Sequence, residues 1–447
     1  MNEMEKFIEQ LSSLVQRDTD GKLTISSIQK IIKEMNSFLY TKSSMIGRTN
    51  VLGETFEYLS DFHKFWEENH KDILNTEISE EQCIKVANSL HEVFIRTEGK
   101  VFSEVWPTGN VSNENICKIR FLTANQDFRG SRNFQELLDV FNSDNSIFDV
   151  RKINKHPDDF VKSIKISNLS QNDKRISYAQ NVAQFIIKNE CEPIELAQKF
   201  NNDAYLLRQV LISEQGMGYG NKKTDMFIRD MFVLKIWPNL INFDKIDVAS
   251  DINTVKIALR TGILRTAIPL LSSFLDIFCY QYGYIDEMSA KAWRCVWEIW
   301  KDTYPSETVA SPALLDFFIY NIVGKQFCKD SLYIFEGDTC HHKFKWHSAR
   351  NRTCQECYSL GKLDAKAHKV GQILPCTDPN GDIAICKTEF VKSSIANPNY
   401  TNCPFKDICV ANGTTKLQPP KSISIKGQTG WTTAYTNKDS GGGGLMA

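Results

Sequence analysis

The chain has 447 residues, 42% of them apolar, and a formal net charge of −1. A chain of this length exceeds one ordinary hydrophobic core, so two or three domains are expected. The balanced charge excludes a uniformly basic, histone-like protein, although a neutral total is compatible with a local basic face.

The amino-terminal residues and the apolar runs bear on localisation. The chain begins MNEMEKFIEQLSSL, which is charged and amphipathic, and it lacks a basic segment followed by an apolar one. No apolar run approaches the length of a membrane span. We therefore expect a cytoplasmic protein with no membrane partner.

Apolar residues spaced by three and four positions predict helices through most of the first 335 residues. Residues 1–110 are assigned to an N-terminal helical domain, which includes LTISSIQKIIKEMNSFLY and EEQCIKVANSLHEVFI. Residues 111–335 are assigned to a second helical domain. Its predicted helices include ISYAQNVAQFIIKN, EPIELAQKFNNDAYLLRQVLISE, KKTDMFIRDMFVLKIW, DINTVKIALRTGIL and SAKAWRCVWEIWKDTY. Because strand-like alternation is scarce, the predicted fold class is mainly α.

The composition changes near residue 336. Residues 336–415 combine short loops with seven of the thirteen cysteines, so we assign them to a loop-rich metal-binding module. Residues 343–369 carry seven Lys or Arg side chains against two acidic ones, which predicts a basic surface. Residues 416–447 are polar and glycine-rich and are expected to form a flexible C-terminal tail.

The clustered cysteines predict a structural metal, because a cytosolic chain keeps its thiols reduced. Cys354 and Cys357 form a C-x-x-C pair, and Cys340 lies upstream beside two histidines, so this group could make a zinc site with three cysteines and one histidine. A second group ends in the C-x5-C pair of CPFKDIC and comprises Cys376, Cys386, Cys403 and Cys409. The sequence does not distinguish one metal site from two, nor zinc from an iron–sulfur cluster. The six other cysteines are interpreted as reduced core residues.

Residues 216–230 read GMGYGNKKTDMFIRD and place a glycine-rich turn between two helical segments. A phosphate-binding P-loop is excluded, because the preceding LLRQVLISEQ has a helical period and the glycine spacing differs. Glycines in such a turn let the backbone approach a DNA phosphate, and amides at the start of the second helix can donate to it. A plain helix–helix turn is the alternative. The predicted DNA contacts are Gly216, Gly218, Gly220, Asn221, Lys222 and Thr224.

The sequence downstream of this turn resembles the helix-hairpin-helix DNA glycosylase superfamily. Gly218, Gly220 and Lys222 supply the hairpin pattern G-x-G-x-K, and Asp251 stands eleven residues before Gly262, the spacing of the family's aspartate. The resemblance covers about residues 155–300. It implies a glycosylase-like helical core for residues 111–335.

Within that superfamily the sequence looks most similar to the archaeal 8-oxoguanine glycosylase branch, where a K-T pair opens the second helix, as Lys223-Thr224 does here. The doubled lysine leaves two registers open. The stretch from lysine to aspartate is longer than in many members. The lead-in Val-Ala-Ser before Asp251 departs from the usual pattern, and Asp247 is a competing candidate.

The resemblance implies a DNA glycosylase, with or without AP lyase activity. Asp251 would stabilise positive charge on the sugar, and Lys222 or Lys223 would attack the anomeric carbon to form a Schiff base. Asp251 could instead act only as a helix cap, and the lysines could contact phosphate. The extruded base needs an aromatic-lined pocket. The candidates for that lining are Phe227, Trp237, Phe243 and Trp293, and the alternative for each of them is a plain core residue.

The substrate is not readable beyond a modified or damaged base, and removal of modified phage bases in antiviral defence is one hypothesis. The C-x5-C pair resembles the closing ligands of the 4Fe–4S cluster in endonuclease III-like members, although the longer gaps differ from theirs. Two alternatives stay open for the function. One is a modified-base synthesis enzyme of hypermodified phage DNA on the same fold, and the other is a non-catalytic DNA-binding protein.

Overall fold

The computed structural model describes residues 74–127, 133–167, 171–267, 283–328 and 402–409, with a few short pieces outside these ranges. The described residues are mainly helical, which confirms the predicted fold class. The helices are α1 Glu80–Thr97, α2 Asn113–Thr123, α3 Phe134–Ser143, α4 Val150–Lys155, α5 Pro157–Ser163, α6 Asn172–Asn189, α7 Leu196–Lys199, α8 Ala204–Ser213, α9 Asn221–Val233, α10 Ile252–Thr261, α11 Gly283–Thr303 and α12 Leu315–Phe317. A π-helix, Phe318–Phe327, continues α12.

Short 3-10 helices connect several of these elements: Lys100–Ser103, Ala124–Gln126, Asn145–Phe148, Pro193–Glu195, Phe243–Lys245 and Pro312–Leu314. Strand structure in the described part of the chain is confined to two small antiparallel sheets. In the first, β1 Glu77–Ile78 pairs with β2 Leu264–Arg265, and Ile78 lies opposite Leu264. The second sheet comprises β3 Ile334–Gly337, β4 Lys343–Lys345 and β5 Phe390–Lys392. Its strand order is β4–β3–β5.

Local sequence signals explain where several helices begin. Asn133 and Glu136 form a reciprocal capping box at the start of α3, and the Asp203 carboxylate accepts hydrogen bonds from two backbone amides of α8. Gly262 ends α10 with a φ of +76°, a conformation that favours glycine. These caps define separate helices, and tertiary packing then sets their arrangement.

α1 packs along α11. Cys83, Val86 and Leu90 on one face of α1 are fully buried, as are Trp293 and Trp300 on α11. The backbone amide of Ser79, just before α1, donates to the carbonyl of Ile263, 3.0 Å away. α1 is therefore built into the same core as the later helices.

One hydrophobic core extends through the described residues, from Leu74 to Val323, and also includes Cys403 and Phe405. The Phe405 ring lies 6.4 Å from the rings of Trp293 and Phe318, and Ser89 donates to the carbonyl of Pro404. The predicted boundary at residue 110 thus falls inside this core. Residues 402–409, assigned to the metal-binding module, pack on the helical core as well.

No helix in the described part of the chain combines the length and apolarity needed to span a membrane. The predicted flexible tail, residues 416–447, lies outside the described residues.

Candidate active site beside the glycine turn

The turn between α8 and α9 requires two of its glycines. Gly216 and Gly218 have φ values of +79° and +75°, in the left-handed region. A Cβ on Gly218 would lie 2.4 Å from the ring of Tyr178, and one on Gly216 would lie 2.5 Å from Nδ2 of Asn181. Backbone conformation and close packing on α6 therefore both select glycine here.

Polar side chains from neighbouring elements hold this turn. The Asn125 amide donates to the carbonyl of Met217 at 2.9 Å, and the Asn181 amide donates to the carbonyl of Gly216 at 2.8 Å. The buried Tyr219 hydroxyl donates to the carbonyl of Phe121 at 2.6 Å. These three hydrogen bonds hold the conformation of the turn that precedes α9.

The amino-terminal end of α9 is open. Gly220 is the N-cap residue, and no side chain accepts a hydrogen bond there from the helix in the described structure. Nothing lies within 4 Å of the position that a Cβ on Gly220 would take, and Asn221 is exposed. The first amides of this 13-residue helix are therefore available to an anion, as phosphate recognition at a helix terminus requires.

The structure brings Lys222 and Asp251 together. Nζ of Lys222 lies 4.0 Å from Oδ2 of Asp251, although a helix and a loop separate them in sequence. Oδ1 of Asp251 accepts hydrogen bonds from the amides of Asn253 and Thr254, both at 2.9 Å. Asp251 is therefore the N-cap of α10, and its second oxygen faces the lysine.

Lys223 is paired with Asp127 and not with Asp251 in the described structure. Its ammonium donates to the carbonyl of Asp127 and lies 3.5 Å from that residue's carboxylate. Burial lowers the pKa of Lys223 to about 8, and Asp127 opposes this shift. The lowered pKa favours Lys223 as a neutral amine, whereas position favours Lys222. Position decides between the two candidates, because the predicted nucleophile has to reach the same sugar as the carboxylate and the amine of Lys223 is held by Asp127.

A cavity of about 340 Å³ opens beside Lys222. Its wall includes Asp286, in the first turn of α11, which sequence analysis did not select. Burial raises the pKa of Asp286 to about 7, Lys222 opposes the shift, and Asp251 adds to it. An aspartate in the first turn of a helix is common, so only its position in the fold identifies it.

A second, larger cavity of about 610 Å³ lies along α9. Met226 and Arg229, one and two turns beyond Lys222, line it. Its aromatic lining residues are Trp106, Phe134, Phe317 and Tyr320.

Buried charges occupy one wall of the larger cavity. Arg120 donates to Asp230 at 2.8 Å, and Nη1 of Arg229 lies 3.6 Å from the carboxylate of Asp316. Burial raises the pKa of Asp316 to about 6 against the effect of Arg229. The charges of Asp251 and Lys222 also act on Asp316.

The predicted aromatic pocket residues lie elsewhere. Phe227 and Trp293 have no exposed surface, Trp237 and Phe243 are 4% exposed, and none of the four lines either cavity. The structure thus corrects the pocket assignment in favour of the alternative that the four are core residues.

Of two further candidates, one is buried and the other is paired with an arginine. Thr224 is fully buried, so its side chain is not available for the predicted DNA contact. Asp247, the competing candidate for Asp251, accepts a hydrogen bond from Arg294 at 2.7 Å. Of these two aspartates, Asp251 is the one that the structure places beside Lys222.

Most of the predicted metal ligands cannot be placed: Cys340, Cys354, Cys357, Cys376 and Cys386 lie outside the described residues. Cys403 and Cys409 are described, and burial raises their pKa values to about 11 and about 12. The half-buried Cys328 adds to both shifts, so it lies near this pair. Within the described residues no group of three or more His, Cys, Asp or Glu side chains is arranged to hold a metal. The metal site stays a prediction.

Comparison with known families and curated proteins gives no match for this chain: no protein-family model matches it, and no curated protein matches it significantly.

Proposed function

We propose that the protein is a DNA glycosylase that extrudes a modified or damaged base and excises it with Lys222 and Asp251. The observation that carries this proposal is the 4.0 Å approach of Nζ of Lys222 to Oδ2 of Asp251 beside the glycine turn. An amine and a carboxylate in this relation are the two groups that glycosidic bond cleavage with a covalent intermediate requires.

The reaction begins with DNA on the open end of α9. A backbone phosphate accepts hydrogen bonds from the first amides of the helix, and the space around Gly220 lets it approach. Lys222, with 42% of its side chain exposed, extends from the same turn of α9. The affinity should fall with rising salt, because phosphate contacts release counterions.

Cleavage of the glycosidic bond places positive charge on the sugar. Oδ2 of Asp251 stabilises that charge, and this side chain is 12% exposed, so little water screens it. The neutral amine of Lys222 attacks the anomeric carbon, and the resulting Schiff base permits strand cleavage.

The larger cavity suits the extruded base. Trp106 and Phe317 offer ring surfaces for stacking, while Arg229 and Asp316 offer polar groups to a base edge. Its volume of about 610 Å³ exceeds that of an unmodified base, which is compatible with a bulky modified base. A structural zinc or iron–sulfur site in residues 336–415 and a role in antiviral defence remain parts of this proposal.

The test uses duplexes that each carry one of a panel of damaged or modified bases. Wild-type protein should leave an alkali-sensitive abasic site in at least one duplex, and mass spectrometry should find the free base. Asp251→Asn should lower the release rate by about 100-fold or more while DNA binding persists. An altered nucleoside without a free base would instead identify a modified-base synthesis enzyme. Unchanged DNA would favour a non-catalytic DNA-binding protein.

Borohydride trapping on an abasic-site duplex tests the nucleophile without knowledge of the base. Wild-type protein should be trapped covalently, and Lys222→Gln should abolish trapping. Lys223→Gln is the matched control and should still be trapped, because Lys223 faces Asp127. Loss of trapping in Lys223→Gln alone would reverse the assignment of the two lysines.

A further inference from the structure

Asp286 lies in the smaller cavity with Lys222, and its Oδ1 is buried with no hydrogen-bond partner in the described structure. A buried acceptor without a partner is costly, so such a group calls for a functional explanation. The charges of Lys222 and Asp251 both act on Asp286, so the three side chains lie in the same region of the fold.

The other charged residues of this cavity have ion-pair partners among the described residues. These pairs are Arg208 with Asp225, Asp247 with Arg294, Glu287 with Lys291 and Lys223 with Asp127. Lys222 has only Asp251, at 4.0 Å, and no ion pair of Asp286 is seen within the described residues. The cavity thus holds one loosely paired ammonium and one carboxyl group without a structural partner.

The proposed reaction needs a base for the ammonium of Lys222, since only a neutral amine can attack carbon. Asp251 is poorly suited to that task, because two backbone amides hold its Oδ1 and its charge is needed for the sugar. Asp286 neither caps a helix in the described structure nor is needed to stabilise the charge on the sugar.

We propose that Asp286 is the proton acceptor for Lys222, an inference that rests on the proposed glycosylase function. An N–H bond of the ammonium breaks and its proton moves to the Asp286 carboxylate through one bridging water molecule in the cavity, because the two groups lie beyond ion-pair distance. The freed electron pair forms the bond to the anomeric carbon as the glycosidic bond breaks. The electron pair of that bond leaves with the base, which takes a proton from water, and Asp286 returns its proton to solvent.

The acidity of Asp286 fits this task. Burial raises its pKa to about 7, the ammonium of Lys222 opposes that shift, and the carboxylate of Asp251 supports it. A proton acceptor works best when its pKa lies near the working pH. Since the carboxylate form accepts the proton, amine attack should reach its full rate above about pH 7.

The first experiment measures single-turnover trapping on an abasic-site duplex between pH 5.5 and 8.5. The wild-type rate should rise up to about pH 7 and then level off. In Asp286→Asn the rate should fall by about 100-fold at pH 7.5 and should keep rising with pH without a plateau, because only the intrinsic ionisation of the amine remains. Asp286→Glu should restore a plateau.

Glu287→Gln is the matched control, because Glu287 lines the same cavity from the same helix but is paired with Lys291. It should keep the wild-type profile. If the wild-type protein is neither trapped on DNA nor releases a base, the proposed glycosylase function is refuted. A wild type that traps, with the same plateau in Asp286→Asn, would overturn the role of Asp286 alone.

A second measurement needs no DNA. Reductive methylation with ¹³C-formaldehyde labels the lysines, and the Lys222 signal is identified by its loss in Lys222→Gln. Its chemical shift should show a titration step near pH 7 that disappears in Asp286→Asn and persists in Glu287→Gln. A wild-type signal without that step would overturn the inference.

Discussion

At the residue scale, Asp251 combines a structural role with the chemical role that we propose for it. One carboxylate oxygen caps α10 through two amides, while the other faces Lys222. Capping and catalysis, which stand as alternatives in the sequence, are therefore compatible, because a carboxylate has two oxygens with different neighbours.

Two substitutions separate these tasks. Asp251→Ala removes the cap and should lower the free energy of unfolding by about 1 kcal/mol, whereas Asn caps helices as well as Asp and should keep stability within about 0.5 kcal/mol. Both variants should lose base release. Urea unfolding and the base-release assay check these outcomes, and an active Asp251→Asn would contradict the chemical task.

The two adjacent lysines show what a sequence pattern leaves open. The motif G-x-G-x-K and the helical period place both at the start of α9, but a helix rotates by about 100° per residue, so neighbours face different sides. The contacts with Asp251 and Asp127, both distant in sequence, distinguish Lys222 from Lys223.

At the element scale, the α8–α9 turn depends on two glycines for its shape and on a third for access. Gly216 and Gly218 have positive φ and close neighbours, whereas Gly220 has a φ of −96° and open space. The same residue type therefore meets two different requirements within one turn.

A matched pair of alanine substitutions tests this distinction. Gly218→Ala should lower the free energy of unfolding by at least about 1–2 kcal/mol, because a left-handed backbone and the Tyr178 ring both oppose a Cβ. Gly220→Ala should change stability by less than about 0.5 kcal/mol yet weaken binding to duplex DNA, because its methyl group occupies the approach to the amides. Equal stability of the two variants in thermal unfolding would contradict this account.

At the scale of the whole molecule, buried carboxyl groups give stability a distinctive dependence on pH. Burial raises the pKa values of Asp225 and Asp286 to about 7 and that of Asp316 to about 6, from an ordinary value of 3.8. The folded state therefore binds more protons than the unfolded state between about pH 4 and pH 7. Stability from these groups is highest at low pH and is lost as pH rises through that interval.

Urea unfolding at pH 5, 6, 7 and 8 should thus show a midpoint that falls up to about pH 7 and then flattens. Asp286→Asn removes one of the three groups and should reduce the fall. A midpoint that rises from pH 5 to pH 7 would show that these carboxyl groups do not govern stability.

The core also crosses both predicted domain boundaries. α1 packs on α11, and Phe405 fills a space between Trp293 and Phe318. Local composition places breaks near residues 110 and 336, but a core forms wherever apolar faces meet, regardless of their separation along the chain.

The sequence by itself determined the helical class, the glycine turn and the N-cap interpretation of Asp251, because each depends on local periodicity or on the preference of one residue. Only the tertiary structure decided that Lys222 is the lysine beside Asp251, that Asp286 joins them, and which aromatic rings line the larger cavity. These are contacts between elements far apart in sequence, and their geometry depends on how the helices pack together.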